Sequence, residues 1–257
     1  MHIRPAKPED FSSTASMSVD AFWNDELYAY TNTWRGEYPD HFRDLFLRRH
    51  RQLYWTPGYI VFVAVTDAED NGHTEGGTVV GYAIWERRGT NDIARSWQKD
   101  TLWGLLERTL LQATEKYMTF ISADKSLDYE RLQNFFSDAK SDFQAISELW
   151  KLQNLCIHVD YQRRGIGSMF IKWGQEQAER EGVPIGLESA EAARPVYLKN
   201  GFRVYGYLNI KDFPIQEVPI FLWEPEGMKG LWGTKEEPRI GWENYTGIHP
   251  SGDDCNW

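Results

Sequence analysis

Cysteine is scarce in this chain of 257 residues, and long apolar runs are missing. The two cysteines are Cys156, in an apolar run, and Cys255, in a polar terminal segment, so we expect two free thiols and no disulfide framework. No stretch approaches the roughly 20 apolar residues of a membrane-spanning helix. The first residues, from Met1 to Pro5, lack the basic and apolar regions of a signal peptide. We therefore expect a soluble, cytoplasmic protein with no membrane partner.

An excess of positive charge is missing too. Lys and Arg number 28 against 38 Asp and Glu, which gives a formal net charge of -10. Nucleic-acid binding without sequence preference requires a basic face, so we expect no nucleic-acid partner, whereas a cationic amine is compatible with this charge. The chain is rich in aromatic residues, with 12 Trp, 13 Tyr and 13 Phe, which can line a ligand pocket or fill a core. With 41% hydrophobic residues, the chain can bury a full core without a metal.

The first third of the chain predicts a strand, two helices and a hairpin. A short strand over 3–6 precedes a helical pattern over 11–22. Three-and-four spacing returns over 42–53 and predicts a second helix. Two β-rich runs, 60–65 and 78–85, are separated by a polar loop and predict a pair of adjacent strands.

Helical patterns replace the strands from Glu86 to about Trp150. One pattern carries four leucines, and a second is close to a heptad seam that could pack on the same body or pair with another copy in a homodimer. The residues are Leu102, Leu105, Leu106 and Leu110 in the first pattern and Phe136, Ala139, Phe143, Ile146 and Trp150 in the second. No Gly/Pro/Ser linker flanks this stretch, so we expect one domain over 1–224 with a helical insertion over about 87–150, and an aromatic tail over 225–257 that packs on the domain or on a partner.

The segment after residue 152 has the most informative pattern. A mostly apolar run over 152–159 predicts a buried strand, and it leads directly into a turn that contains two glycines. An amphipathic helix follows and ends at Gly182. The remaining elements are a strand over 183–189, a short helix ending at Asn200-Gly201, and strands over 202–208 and 219–223.

A strand that feeds a glycine-containing turn and then a helix places several unpaired backbone N–H groups around one point, with the positive end of the helix dipole behind them. We expect an anion to bind there. Gly165 and Gly167 let the backbone approach phosphate oxygens, and Arg163 and Arg164 add positive charge at the rim. The turn by itself is also compatible with an ordinary tight turn, and with a nucleotide-binding α/β domain.

Three stretches in the correct order resemble the GNAT (Gcn5-related N-acetyltransferase) superfamily. The stretch Ile157 to Ser168, with its Gln162-Arg163-Arg164-Gly165-Ile166-Gly167 core, resembles the acetyl-CoA motif, and Tyr197 to Phe202 resembles the Tyr-x-x-x-Gly-Phe element. The opening Ile3-Arg4-Pro5-Ala6 with Asp10 is similar to the first strand and turn of that family. The similarity is clear over about 150 to 208 and fainter over 1 to 85.

The resemblance implies an α/β (α+β) GNAT fold: a mixed, V-shaped sheet of about seven strands flanked by helices, with the helical insertion between strands 3 and 4. It also implies acetyl-CoA as co-substrate, with the pantetheine arm lying in the opening of the sheet. Val159 stands where many relatives have proline, and Ala190 where some have an asparagine that contacts CoA, so no contact is carried over to Ala190. The implied CoA-binding residues are Ile157, Val159, Gln162, Arg163, Arg164, Gly165, Ile166, Gly167 and Ser168.

Acyl transfer to an amine requires a group that takes a proton, because an alkyl ammonium with a pKa of about 10.4 is protonated at neutral pH. The carboxylate candidates are Glu86 and Glu188, each late in a predicted strand, and His158 and Asn154 could act directly or by ordering water. Tyr197 resembles the family tyrosine that donates to the departing sulfur. An exposed charge at a strand end, a structural histidine and a packed tyrosine are the competing interpretations of these residues.

The leading hypothesis is therefore an acetyltransferase that acts on the primary amine of a small molecule, without a metal. A peptide or protein amino terminus is a second acceptor class. The rival from a different class of protein is an acyl-CoA-binding protein with no transfer activity, which would keep the phosphate-binding turn as a sensor or scaffold.

Overall fold

The computed structural model describes residues 1–75, 77–138, 143, 146–208 and 218–233. A seven-stranded sheet is its framework, and the strands are β1 (His2–Pro5), β2 (Tyr59–Val65), β3 (Val79–Arg88), β4 (Leu149–Ile157), β5 (Ile185–Glu188), β6 (Arg203–Leu208) and β7 (Val218–Trp223). Their order is β1-β2-β3-β4-β5-β7-β6. Neighbours pair antiparallel except β4 and β5, which pair parallel. The expected mixed sheet of about seven strands is confirmed.

Helices cover both faces of this sheet. They are α1 (Phe11–Phe22), α2 (Glu26–Thr31), α3 (Pro39–Tyr54), α4 (Asp92–Trp97), α5 (Leu102–Phe120), α6 (Tyr129–Asp138), α7 (Ile166–Glu181) and α8 (Arg194–Lys199). The helices α4, α5 and α6 lie between β3 and β4, where the helical insertion was expected. The sequence patterns did not predict α2 and α4, because six residues are too few to show a helical period. Side-chain caps mark both: Asp25 accepts from Leu27 N at 3.0 Å, and Asn91 accepts from Ala94 N at 2.7 Å.

Two layers of core explain why β3 is buried along nearly its whole length. On one face, Val63, Tyr82 and Ile84 belong to a cluster with Phe11 of α1, and α3 packs alongside. On the other face, Trp85 and other apolar residues of the sheet form the largest cluster with α7. A strand covered on both faces reads as a continuous apolar run, which is the pattern of 78–85 in the sequence.

Four tryptophans fill the layer between the sheet and α7. Trp150 has its ring centroid 6.5 Å from Trp85, 5.2 Å from Trp97 and 5.6 Å from Trp173. Gly174 of α7 makes room for them, because a Cβ at this position would lie 2.2 Å from the Trp85 ring. Many of the aromatic residues therefore fill the core.

The insertion is fastened to the sheet through Arg87, whose side chain is completely buried. Its guanidinium pairs with Glu148 at 3.0 Å and with Glu181, at the end of α7, at 2.6 Å. Glu148 in turn accepts from the backbone N–H of Asn91, the N-cap of α4, at 3.0 Å, and Glu181 accepts from the Trp97 indole at 3.0 Å. One buried cation therefore joins β3, β4, α4 and α7.

The second insertion helix, predicted from Phe136 to Trp150, is wrong over most of its length, because α6 ends at Asp138. Leu149 and Trp150 open β4, and Trp150 pairs across the sheet with Arg87 and Ile185. The apolar spacing of a fully buried strand coincided there with helical spacing, and short apolar runs do not distinguish the two. Ala139 lies outside the described residues. Phe143 and Ile146 are buried beside Leu149 in a cluster with β6 and β7.

The tail is described as far as Gly233. Trp232 packs beside the cluster of β6 and β7, and the Arg203 guanidinium donates to its backbone carbonyl. Glu224 supports this arrangement by accepting from Gly230 N at 3.1 Å. Trp242, Cys255 and Trp257 lie outside the described residues. Cys156 is a free, buried thiol, as expected.

Candidate active site

The glycine-containing turn begins α7 with an exposed set of backbone donors. Gly165 is the N-cap residue and has φ +82°, in the left-handed region that favours glycine. No side chain of the described residues caps this helix, so the N–H groups of its first turn, from Ile166 to Ser168, remain available to an anion. A Cβ on Gly165 would meet no atom within 4 Å, so the backbone conformation and not crowding requires glycine there.

The two arginines of the turn are held differently. Arg163 has φ +58°, a conformation that is uncommon for a residue with a Cβ. Arg164 is anchored, because its guanidinium donates to Asp160 O at 2.8 Å and lies 4.9 Å from the centroid of the Tyr161 ring. Arg164 is therefore held by side-chain contacts. The strained backbone of Arg163 is part of the conformation of the turn.

The sheet opens between β4 and β5, directly beside this turn. The two strands pair only at Trp150 with Ile185 and at Lys151 with Gly186. From Leu152 to Ile157, β4 pairs with β3 alone among the described strands, so one edge of β4 is unpaired. The expected splayed sheet is confirmed, and its closed end lies at Lys151.

A β-bulge lies next to the closed end of the opening. The register between β3 and β4 shifts between Ile84 and Trp85, which pair with Asn154 and Leu152 and leave Gln153 as the extra residue. A bulge bends a strand and changes where its side chains point. At the other end of β4, the Gln162 side chain donates to the Ile157 carbonyl at 3.2 Å, and Val159 lies in a short, exposed 3-10 turn.

Glu86 lies at the closed end of the opening, although not at the end of its strand, since β3 continues to Arg88. Its carboxylate accepts from Gln153 Nε2 at 2.5 Å and from Arg88 Nε at 2.8 Å. Tyr59 is the Cα partner of Glu86 on β2, and burial, followed by the Glu86 charge, raises the pKa of Tyr59 to about 12. Glu86 is thus held against the bulge of β4.

Glu188 ends β5 and forms an ion pair with Lys151, with the ammonium nitrogen 2.7 Å from Oε2 and 2.9 Å from Oε1. Lys151 is almost fully buried and also lies 5.8 Å from the centroid of the Phe143 ring. Because Lys151 is the Cα partner of Glu86 across the sheet, the two carboxylates predicted from the sequence are brought to the same end of the opening.

His158 lies at the opposite end of the opening. Its backbone N–H bonds to Val80 O at 2.9 Å, and its Nδ1 accepts from Asp160 N at 3.3 Å as the cap of the short 3-10 turn. The ring also makes an edge contact with Tyr161, with the centroids 5.9 Å apart. The structure therefore places His158 beside the glycine-containing turn and away from Glu86 and Glu188.

Tyr197 lies on α8 and points inward, as its position on the apolar face of that helix predicted. It packs against Phe202 and Phe221, with centroids 5.7 and 5.4 Å away, in the cluster that includes Leu155 and Ile157 of β4. Burial raises the pKa of Tyr197 to about 12, and a hydrogen bond with Ser189 acts in the other direction. The phenol is therefore a neutral donor at neutral pH.

The sequence did not single out Gln153, Lys151, Tyr59 or Arg88. Gln153, Lys151 and Tyr59 lie on strands adjacent to a predicted carboxylate, so their identification depends on strand register, which a single sequence does not give. Arg88 lies two residues from Glu86 on β3 itself. The polar residues in the buried run of β4 were the only available signal. Among the described residues, no cluster of His, Cys, Asp and Glu is arranged to hold a metal ion, and no helix has the length and apolarity needed to cross a membrane.

Comparisons with known proteins agree with this geometry. Residues 120–204 match the family model described as an acetyltransferase (GNAT) domain. An acetyltransferase of Stachybotrys chartarum (strain CBS 109288 / IBT 7711) is 26% identical over 211 residues, which cover 82% of this chain and 84% of that protein. The crystal structure of a histone acetyltransferase HPA2 and related acetyltransferase from Corynebacterium glutamicum ATCC 13032 has a TM-score of 0.53 at 20% identity, and the alignment covers 93% of this chain and 98% of that one.

A mixed sheet that opens between two parallel strands, beside an uncapped helix start, agrees with the match of residues 120–204 to an acetyltransferase (GNAT) domain. The fold is that of the GNAT acetyltransferases, as the motifs at 157–168 and 197–202 indicated.

Proposed function

We propose that the protein transfers an acetyl group from acetyl-CoA to the primary amine of a small molecule, by direct attack in a ternary complex. The opening between β4 and β5 carries this proposal. Its unpaired β4 edge offers regularly spaced donors and acceptors to an amide-bearing chain such as pantetheine. The uncapped start of α7, at one end of that edge, suits a pyrophosphate.

The two ends of the opening determine the direction in which acetyl-CoA would lie along β4. With the pyrophosphate on the N–H groups from Arg163 to Ser168, the pantetheine arm runs along β4 from Val159 and Ile157 toward Gln153. The acyl group then lies near the bulge, and a backbone N–H of β4 meets the oxyanion of the tetrahedral intermediate. Because the Gln162 amide donates to the Ile157 carbonyl, Gln162 shapes this edge by fixing one of its acceptors.

Glu86 is our proposed proton acceptor for the amine, directly or through one water. Its bond to Gln153, beside the bulge of β4, supports this role. Glu188 is close as well, but both of its oxygens are within 2.9 Å of the Lys151 ammonium. His158 is at the pyrophosphate end, with Nδ1 already accepting a backbone bond. The pair of carboxylates at the closed end also attracts a cationic acceptor.

Tyr197 completes the proposal as the group that meets the departing sulfur. A thiol with a pKa of about 8.5 is more acidic than this phenol, whose pKa is about 12. Tyr197 would therefore stabilise the thiolate by donating a hydrogen bond and would not lose its proton completely.

Thiol release from acetyl-CoA, measured over a panel of small primary amines and peptides with free amino termini, tests the function. Acceptor-dependent release that is fastest with a small amine supports the proposal, and faster release with the peptides contradicts the acceptor class. Calorimetry with CoA separates the rival classes. Tight CoA binding without acceptor-dependent release would select a non-catalytic acyl-CoA-binding protein, and binding of a dinucleotide in place of CoA would select a nucleotide-binding domain.

The substitutions Glu86→Gln and Glu188→Gln separate the two carboxylates. Loss of the proton acceptor should lower kcat by about 10²-fold or more. We expect this result for Glu86→Gln and a smaller loss for Glu188→Gln, with CoA affinity retained in both. The reverse order of the two losses would assign the proton acceptor to Glu188.

A further inference from the structure

The outer face of α5 is apolar and exposed along its whole length. Six residues at heptad spacing form what we call the α5 seam: Trp103, Leu106, Leu110, Ala113, Tyr117 and Phe120. Phe120 is 87% exposed, Trp103 60%, and the neighbouring Leu102 89%. No described residue covers this face.

The opposite face of α5 is already fixed to α3, so the seam cannot simply turn inward. Arg108 donates to the Trp55 carbonyl at 3.0 Å, and Arg48 of α3 pairs with Glu115 at 3.0 Å. Thr101 caps the start of the helix by accepting from Gly104 N at 2.9 Å. The seam is therefore a fixed surface on an anchored helix.

The area of the face is too large for an ordinary monomer surface. Eight large apolar residues contribute to it, and at about 150–250 Å² for a side chain of this size their exposed fractions amount to roughly 1,000 Å². The largest apolar patch of a typical monomer is about 300–600 Å², whereas a standard interface buries about 800 Å² on each partner. The eight are Leu102, Trp103, Leu105, Leu106, Leu110, Tyr117, Phe120 and Ile121.

We infer that two copies of this chain pair through the α5 seam as an antiparallel, two-fold helix pair. Apolar residues at spacings of three and four are the pattern with which helices pack side by side. Centring the two-fold axis between Leu110 and Ala113 overlaps the full length of both helices. It also sets Leu110 against Ala113, Leu106 against Tyr117 and Trp103 against Phe120 of the other copy, so large and small residues alternate at the centre.

The charges around the seam favour a second copy over a lipid surface. Helices that lie on membranes carry many Lys and Arg on their polar face. In α5 the charged residues are two acidic and two basic, Glu107, Glu115, Arg108 and Lys116, and the whole chain has a net charge of -10. Antiparallel pairing also opposes the two helix dipoles favourably.

Sedimentation velocity over a concentration series tests the pairing. We expect wild-type protein to sediment as a species with twice the 30.0 kDa mass of one chain. Leu110→Glu should raise the dimer dissociation constant by at least about 100-fold, whereas Gln112→Glu, which adds the same charge off the seam, should not. Unchanged thermal melting would show that both variants fold. A monomeric wild type, or a dimer that survives Leu110→Glu, would overturn the inference, as would wild type that binds anionic vesicles as a monomer.

Single cysteines test the orientation, in a Cys255→Ser background. Leu106→Cys and Tyr117→Cys chains, when mixed and oxidised, should give a disulfide-linked heterodimer. Leu106→Cys alone should not cross-link, because in the antiparallel register the two copies of residue 106 are about 16 Å apart along the axis, beyond disulfide reach of about 7 Å. Efficient cross-linking of Leu106→Cys alone would contradict antiparallel pairing.

Discussion

Tyr197 shows how burial supplies a neutral donor at the residue scale. Its neighbours Phe202 and Phe221 and its place on α8 remove it from water, which raises the pKa of its hydroxyl to about 12. The hydroxyl therefore stays protonated over the whole physiological range. A donor of this kind suits a departing thiolate, which gains negative charge as the reaction proceeds.

Tyr197→Phe should lower kcat by about 10²-fold with little change in the KM for acetyl-CoA, since a hydrogen bond to the sulfur matters only as charge develops there. Steady-state kinetics with acetyl-CoA and an amine measures both constants. Tyr205→Phe is the matched control, because Tyr205 is also a buried tyrosine but lies in the cluster of β6 and β7. Equal losses in the two variants would show a packing effect and contradict the assigned role.

His50 provides a second residue whose environment has a measurable consequence. It is buried between α1 and β3, bonds through Nδ1 to Thr14 Oγ1 at 2.9 Å, and lies 4.8 Å from the Tyr82 ring. Burial, assisted by the Arg49 charge, lowers the pKa of His50 to about 3. The imidazole is therefore neutral in the folded protein at every pH at which the protein is ordinarily handled.

Between about pH 6.5, the ordinary pKa of histidine, and pH 3, the unfolded chain binds a proton at His50 that the folded chain does not. The contribution of His50 to the free energy of unfolding therefore decreases as the pH falls, by up to about 1.4 kcal/mol per pH unit. Burial raises the pKa of Asp25 to about 6 and acts in the opposite direction, so the comparison must be between variants. Urea unfolding measures the free energy of unfolding, which should decrease less from pH 7 to pH 5 for His50→Gln than for wild type. An equal decrease in the two proteins would contradict this prediction.

At the scale of elements, the turn before α7 depends on backbone geometry. Gly165 at its start and Gly182 at its end have φ of +82° and +63°, and a Cβ on either would meet no atom within 4 Å. The two glycines thus carry the same kind of backbone requirement at opposite ends of one helix. Only the first of them belongs to the proposed pyrophosphate site.

Gly165→Ala and Gly182→Ala should each destabilise the protein by about 1–2 kcal/mol, the cost of a left-handed conformation for a residue with a Cβ. Only Gly165→Ala should weaken CoA binding, by about tenfold, because it disturbs the donors that face the pyrophosphate. Calorimetric titration with CoA, alongside thermal unfolding, compares the two. Equal CoA affinities in the two variants would show that the turn is not part of the CoA site.

Most elements were predictable because their signals are local. The turn at 162–167, the helix that follows it and the inward position of Tyr197 depend on spacings within a few residues. The end of the second insertion helix was not predictable, because Trp150 in a buried strand continues an apolar spacing that also suits a helix. The bulge at Gln153 depends on register against β3, and register depends on contacts distant in sequence.

At the scale of the whole molecule, the site is assembled from residues far apart in the chain. Glu86 and Gln153 are 67 residues apart, and Lys151 and Glu188 are 37 apart. The carboxylates could be named from the sequence, but their partners could not, since each pairing requires β3, β4 and β5 to be adjacent. Arg87, which joins the insertion to β4 and α7, is a similar case.

The insertion interrupts the sheet between β3 and β4. It leaves the sheet at Arg88 and returns at Leu149, and the Arg87 ion pairs fix both of its ends. The α5 seam projects from this anchored unit, so pairing of two copies would leave the opening between β4 and β5 within each chain. Acetyl transfer and assembly can then be tested separately.

A crystal structure with CoA bound is the decisive test of the proposed site. We expect the pyrophosphate on the N–H groups at the start of α7, the pantetheine along the unpaired edge of β4, and the sulfur within hydrogen-bond distance of the Tyr197 hydroxyl near Gln153. CoA bound elsewhere on the protein, with β4 and β5 closed against each other beyond Lys151, would contradict it.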